Sequence, residues 1–315
     1  MNKQVQLTDT ILMIRPVKFG YNAETATNNL YQKKQEEQTA ESIQHKALTE
    51  FNQFVDKLQA AGLSVITIDD TISPSKPDSI FPNNWISTHD DGTIVTYPMW
   101  ATSRRKERRE DIIEKLQSLG YSAGRRVDYA RFESEEQFLE GTGSMILDRE
   151  HKIAYACVSP RTHKELFAAF CEEFGYKAVL FTASQTTREG KLSEIYHTNV
   201  MMSVGENIAI ICDETIRNAE ERNRVLQTLK NTGKEIVSIS EAQCNQFAGN
   251  MLQVRNREGK KLLVMSEQAY RSLNEAQVKQ IEKHTEILYS PLYTIETNGG
   301  GSARCMMAEI FLPKA

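Results

Sequence analysis

Leu166-Phe167-Ala168-Ala169-Phe170-Cys171-Glu172-Glu173-Phe174-Gly175 places apolar side chains at 166, 167, 170 and 174, one face of a helix, and stops at a glycine suited to a left-handed C-cap. A strand-like run follows it. The same pattern is written three more times along the chain. Ile43, Ala47, Leu48, Phe51, Phe54, Val55 and Leu58 precede Gly62 and the β-branched run Val65-Ile66-Thr67-Ile68. Ile112, Ile113, Leu116 and Leu119 precede Gly120, and Val225, Leu226 and Leu229 precede Gly233. Successive glycines lie 58, 55 and 58 residues apart, and a fifth helix, Asn274 to about His284, keeps the interval without a glycine.

Between the helices lie strand pairs joined by polar turns: 85–88 with 93–97 across Asp90-Asp91-Gly92, 145–147 with 153–156, 201–204 with 208–212, and 251–255 with 262–265. Each unit reads as hairpin, helix, strand. One such unit cannot bury its own apolar face, so a period of this length implies a solenoid, a propeller or another closed array. The first strand, near 11–14, and the last, near 309–312, are the natural pair to close a ring. That favours one α/β domain over 1–315, although 315 residues would suggest two by length alone.

The residues entering each hairpin fall in register: Asn84, Glu140, His197, Asn250 and, by the same step from His284, Cys305. About a pseudo-symmetry axis these positions converge. A thiol, an imidazole and a carboxylate in one cleft support nucleophilic catalysis, with thiolate attack, proton transfer and an orienting acid. Gly299-Gly300-Gly301 ahead of the thiol lets backbone approach a ligand and reads as an exposed reactive loop, and Arg304 beside Cys305 would favour the thiolate. Asn250 is read either as lining the pocket or as satisfying backbone groups.

The 38 basic and 42 acidic side chains leave a net charge of -4, which argues against nucleic acid as a partner. The basic run Arg104-Arg105-Lys106-Glu107-Arg108-Arg109 reads as a charged helix face. No apolar run reaches the roughly 18 residues of a membrane span, and none near the start resembles a secretory signal, so the expectation is a cytoplasmic protein without a membrane partner. Five cysteines, Cys157, Cys171, Cys212, Cys244 and Cys305, form no C-x-x-C pair and suggest neither a disulfide framework nor a zinc site. His89 reads as part of a hairpin turn, His151 and His163 as solvated, and Met201-Met202 and Met306-Met307 as strand packing.

Glu-Gly-x-Gly at Glu140, His-x-Asn at His197 and Gly-Gly-Gly-x-x-Arg-Cys-Met ending at Met306 resemble the guanidino-group-modifying superfamily of arginine deiminases, dimethylargininases, amidinotransferases and succinylarginine dihydrolases. With Ile14-Arg15-Pro16 and Phe81-Pro82-Asn83-Asn84-Trp85 added, the chain is most similar to the citrulline utilisation hydrolases. The resemblance runs over essentially the whole chain. It implies the pentein fold, a five-bladed α/β propeller with pseudo-fivefold symmetry. It also implies Cys305 as nucleophile, His197 as acid/base and Glu140 as orienting carboxylate, with no metal or organic cofactor.

One departure bears on the substrate. Arginine deiminases carry acids at the positions matching Asn84 and Asn199, where they pair with a guanidinium. Carboxamides here suit a neutral ureido group. Arg104 and Arg161 fall near the family's carboxylate-binding arginines, and the loop Phe19-Gly20-Tyr21-Asn22 to Asn29 could close over the substrate. The expected activity is hydrolysis of citrulline to ornithine, carbon dioxide and ammonia. The alternatives are an arginine deiminase or dimethylarginine hydrolase, an amidinotransferase, and a non-catalytic pentein that serves as a binding module. A papain-like order is disfavoured because the thiol lies ten residues from the end. Oligomeric state stays open, a homo-oligomer included.

Overall fold

The computed structural model describes residues 5–187 and 190–314. Among them are five three-stranded sheets of one design, an antiparallel pair followed through a helix by a parallel third strand. Four are built from consecutive chain: Ile86–Thr88, Thr93–Thr96 and Arg125–Asp128; Met145–Asp148, Ile153–Cys157 and Lys177–Phe181; Met202–Val204, Ile208–Ile211 and Glu235–Ser238; Leu252–Arg255, Lys261–Ser266 and Glu286–Ser290. The remaining sheet joins the two ends of the chain. Thr10–Arg15 pairs antiparallel with Ala308–Glu309, Ile11 opposite Glu309, and parallel with Ser64–Asp69.

The helices that return the chain are Ala40–Ala60, Glu110–Ser118, Lys164–Phe174, Ala219–Asn231 and Glu275–Glu282. Thr39 caps the first through a bond from Ser42 N–H, and Gly175 ends the third with φ 68. In three others the glycine or its equivalent lies beyond the cap, which is Ala61, Leu119 or Thr232. The expected stripes are largely buried: Phe51, Phe54 and Leu58, or Leu166, Phe167 and Phe170, are closed to solvent, whereas Leu119, at the end of its helix, is exposed.

Hydrogen bonds tie each unit to the next. Thr88 Oγ1 donates to Glu309 O (3.0 Å), Thr142 Oγ1 to Asn83 O (3.3 Å), Thr198 Oγ1 to Ser144 O (2.5 Å) and Asn250 Nδ2 to Asn199 O (2.9 Å). Arg255 N–H donates to Thr8 O (3.1 Å), so the last unit meets the first. The hairpin of Ser184–Thr186 with Leu192–Glu194 lies outside this scheme and was not anticipated.

Several local expectations are corrected. The basic run is a 3-10 turn, Thr102–Glu107, with Arg104 and Glu107 buried. A pattern of charges does not reveal which of them meet opposite charges from elsewhere in the fold. His89 does lie in its hairpin turn, its N–H bonded to Thr93 O (2.9 Å), and is in addition buried against Phe174, ring centroids 4.7 Å apart. His151 is exposed in a turn, as expected, and pairs with Asp148 (3.0 Å), whereas His163 is half-buried and its Nδ1 accepts from Phe138 N–H (2.8 Å). Met306 and Met307 are buried in a turn rather than a strand.

Candidate active site

Cys305 follows the helix Tyr293–Gly299, whose C-cap Gly300 has φ 64. A Cβ on Gly300 would come within 2.5 Å of Asn29 Nδ2, so this position tolerates no side chain. Tyr196 Oη donates to the Gly300 carbonyl (2.8 Å), and Cys305 N–H to Ser302 O (3.0 Å). The glycine loop is therefore packed, not exposed as expected, and Cys305 is only 3% accessible. Its sulfur accepts from Asn250 Nδ2 (3.2 Å) and Asn199 Nδ2 (3.4 Å). Arg304, expected to support the thiolate, is bound to Glu309 (2.9 Å) and to the Met307 carbonyl (2.8 Å), and its charge also acts on Cys305.

Glu140 precedes the short helical turn Gly141–Ser144 and His197 precedes Thr198–Met201, adjacent in space because these turns pack together. His197 Nε2 lies 2.7 Å from Glu140 Oε2, and Glu140 Oε1 accepts from Trp100 N–H (2.9 Å). Burial opposes ionisation of Glu140, but Arg161, His197 and Arg104 together outweigh it and bring its carboxyl down to about 2. Burial drives His197 to about 4, only partly offset by Glu140. At neutral pH the pair is a carboxylate and a neutral imidazole, with Nε2–H given to Glu140 and Nδ1 left as the basic nitrogen.

Asn84 and the two arginines stand beside this pair. Arg104 Nη1 donates to Asn84 Oδ1 (2.8 Å), while its Nε and Nη2 grip both oxygens of Glu107 (2.9 Å each). Asp78 (4.0 Å) and Glu140 (3.9 Å) complete its surroundings. Arg161 lies 3.5 Å from Glu140, donates to Asn28 Oδ1 (3.0 Å) and Thr25 O (3.0 Å), and stacks between Trp100 and Tyr196. Neither is the solvated surface arginine that composition would favour. Burial raises Glu107 to about 7 and also raises Asp78, both against the pull of Arg104.

His197, Cys305, Asn84, both arginines and Asp78 line one narrow cavity. Thr25 and Asn29 of the amino-terminal loop also line it, and Asn22 donates to Asp78 (2.7 Å), so that loop closes one side of the site. Asn199 does not line the cavity directly; it is held behind Cys305. Asn84 Nδ2, Asn199 Oδ1 and Asp78 Oδ1 are buried without a hydrogen-bond partner among the described residues. Of these, Asn84 and Asp78 stand in the cavity wall, where orphaned polar atoms are what a polar ligand would satisfy. Among the described residues no cluster of His, Cys, Asp and Glu suits a metal ion.

Asp78, Glu107, Asn28 and Tyr196 were missed from the sequence. Glu107 was discoverable, three residues from Arg104 on a helical turn. Asp78 stands six residues before Asn84 in the same stretch, yet only the fold shows that it faces the arginine. Nothing in the sequence tied Asn28 to Arg161, 133 positions away.

Residues 15–312 match the family model described as N,N dimethylarginine dimethylhydrolase, eukaryotic. The N-terminal domain of ArgZ, an arginine dihydrolase from the ornithine-ammonia cycle in cyanobacteria, solved as a mutant bound to substrate, superposes with a TM-score of 0.71 at 16% identity, covering 96% of this chain and 99% of that one. Full-length ArgZ gives 0.72 at 15% identity, with 97% of this chain covered but 41% of ArgZ, so the chain spans less than half of that protein. DDAH from Pseudomonas aeruginosa, a mutant complexed with citrulline, gives 0.65 at 15% identity, covering 97% and 100%. At such identities the likeness is one of fold, the α/β fold of the pentein enzymes. No curated protein matches the chain.

Proposed function

The chain belongs to the N,N dimethylarginine dimethylhydrolase family of the guanidino-modifying pentein superfamily, hydrolases of guanidino or ureido carbon–nitrogen bonds, and on that premise we propose that it hydrolyses the ureido group of citrulline through a covalent Cys305 intermediate. One observation carries the choice of substrate. Arg104 occupies Asn84 Oδ1, so the atom Asn84 keeps unpartnered is Nδ2, a donor. A ureido group offers its carbonyl oxygen to this donor, whereas a guanidinium has no acceptor for Asn84 Nδ2.

The Cys305 sulfur adds to the ureido carbon, and neutral His197 takes the thiol proton and passes it to the departing nitrogen. One C–N bond breaks and an S-acyl intermediate remains. His197 next takes a proton from water, whose oxygen attacks the same carbon, and the C–S bond breaks. Completion gives ornithine, ammonia and carbon dioxide from one citrulline and one water. Glu140 holds the imidazole by its Nε2–H and steadies the positive charge it acquires. Arg161 and Arg104 face the substrate's carboxylate end, and the unpartnered oxygen of Asp78 suits its ammonium.

The five linked sheets are read as blades of one closed five-bladed propeller, a single domain over 1–315, which accounts for the bond between the last unit and the first. A cytoplasmic location fits a small-molecule hydrolase whose described helices include none long and apolar enough to cross a membrane.

Dimethylarginine hydrolysis is the second reading, favoured by the family description itself and by the Glu140 carboxylate beside His197. The test is release of ammonia and ornithine from citrulline, beside citrulline release from arginine and from dimethylarginine, with Cys305→Ser as the blank. Preference for citrulline is expected; preference for either guanidino substrate overturns the ureido assignment.

A further inference from the structure

Asn250 opens the fourth hairpin, is 1% exposed, and holds Cys305 twice. Its Nδ2 donates to Cys305 Sγ (3.2 Å) and its Oδ1 accepts from Cys305 N–H (3.4 Å). The orientation of the carboxamide follows from backbone partners, because the same Nδ2 also donates to Asn199 O (2.9 Å). Asn199 adds a second donor to the sulfur at 3.4 Å.

The backbone pays an unusual conformation to place it. Phe247, buried and not a glycine, takes φ 64, and Asn250 N–H donates back to its carbonyl (2.9 Å). At Gly249 a Cβ would stand 2.2 Å from Val200 O, so only glycine lets this turn press against the segment that carries Asn199. Left-handed non-glycine residues persist where the surroundings over-determine them, often at functional sites.

We propose that Asn250 is a catalytic residue: with Asn199 it forms a two-donor cradle that holds negative charge on the Cys305 sulfur before attack and again when the C–S bond breaks. The proposal rests on the reading of Cys305 as nucleophile. His197 is driven down to about 4 by burial, so an imidazolium is not the resting partner of a thiolate in the empty site. Hydrogen bonds from N–H groups to a charged acceptor are the stronger kind, and they weaken when the sulfur pair enters the S–C bond. The cradle therefore serves the sulfur when it enters and leaves the reaction as an anion.

The experiment is alkylation of the intact protein by iodoacetamide at pH 7, read at the Cys305 peptide by mass spectrometry, together with steady-state kinetics. In Asn250→Ala, labelling of Cys305 is expected to slow about tenfold or more, with kcat reduced and KM little changed. If its melting curve shows loss of fold, Asn250→Asp decides instead, since it keeps the volume and the acceptor for Cys305 N–H but removes the amide donor. Labelling at the wild-type rate in the deciding variant overturns the role. Cys305→Ser separates the two readings. If it retains turnover, the nucleophile assignment fails; if it is inert while the Asn250 variant labels normally, only the cradle fails.

Discussion

His197 Nε2 lies 2.7 Å from Glu140 Oε2, and both side chains are shut away from water. The bond sets the tautomer of the imidazole and leaves it one task, carrying a proton on Nδ1. Removing the charge while keeping the shape should therefore cost turnover. Glu140→Gln is expected to lower kcat on the order of 10³-fold or more with the fold retained, as a lost orienting carboxylate does in other nucleophile–histidine–acid sites.

The pH profile follows from the same pair. With His197 at about 4, kcat/KM should stay flat from neutral pH down to about pH 5 and fall near 4, not at the ordinary imidazole value. Glu140 raises His197, so Glu140→Gln should move the acid limb lower still. A limb near about 6.5 would mean that water reaches the ring.

Asn84→Asp replaces the free donor by an acceptor beside Arg104. Selectivity, taken as the ratio of kcat/KM for citrulline to that for arginine, is expected to fall about tenfold or more, the scale of one hydrogen bond to a charged group. An unchanged ratio would show that Asn84 does not touch the reacting group.

Arg104→Met leaves Glu107, Asp78 and Glu140 without their shared cation in a buried site. Stability in urea should drop by about 3–5 kcal/mol. Adding Glu107→Met should recover part of that loss, because the pair is coupled. Strictly additive losses in the cycle would refute the coupling.

Glu296 makes stability depend on alkaline pH. Its carboxyl accepts from Ser302 Oγ (2.6 Å) under the loop that carries Cys305, and burial raises it to about 8. Between its ordinary value of 4.5 and about 8 the folded protein binds a proton that the unfolded chain has released, so stability falls as pH rises through that window. His197 acts oppositely, its stabilisation being lost as pH falls from 6.5 through about 4. Melting temperature should therefore decline from pH 6.5 to 8.5, and Glu296→Gln, which is neutral throughout, should flatten the decline. Parallel curves for the two proteins would contradict it.

Much of the fold was legible because its signals are local. The stripe at Leu166, Phe167 and Phe170 and the continuous apolar run at Ile153–Cys157 depend only on what a helix or strand must bury, and the pairing of the first strand with the last followed once the other strands had partners. Repeat register also singled out Asn84, Glu140, His197, Asn250 and Cys305, which the structure brings to one place. It misjudged the glycine loop, since flexible composition does not say whether other segments such as Asn29 and Phe81 will pack on it.

By itself the sequence determined five helix-and-hairpin units and the chemistry at each equivalent position, because periodicity and residue type are properties of the chain. Only the tertiary structure decided what state that chemistry is in. Whether His197 is neutral, which end of the Asn84 carboxamide is free, and that Asp78, Glu107 and Asn28 share the arginines all follow from burial and from partners distant in sequence. Desolvation and through-space pairing exist only once the units have closed on one another.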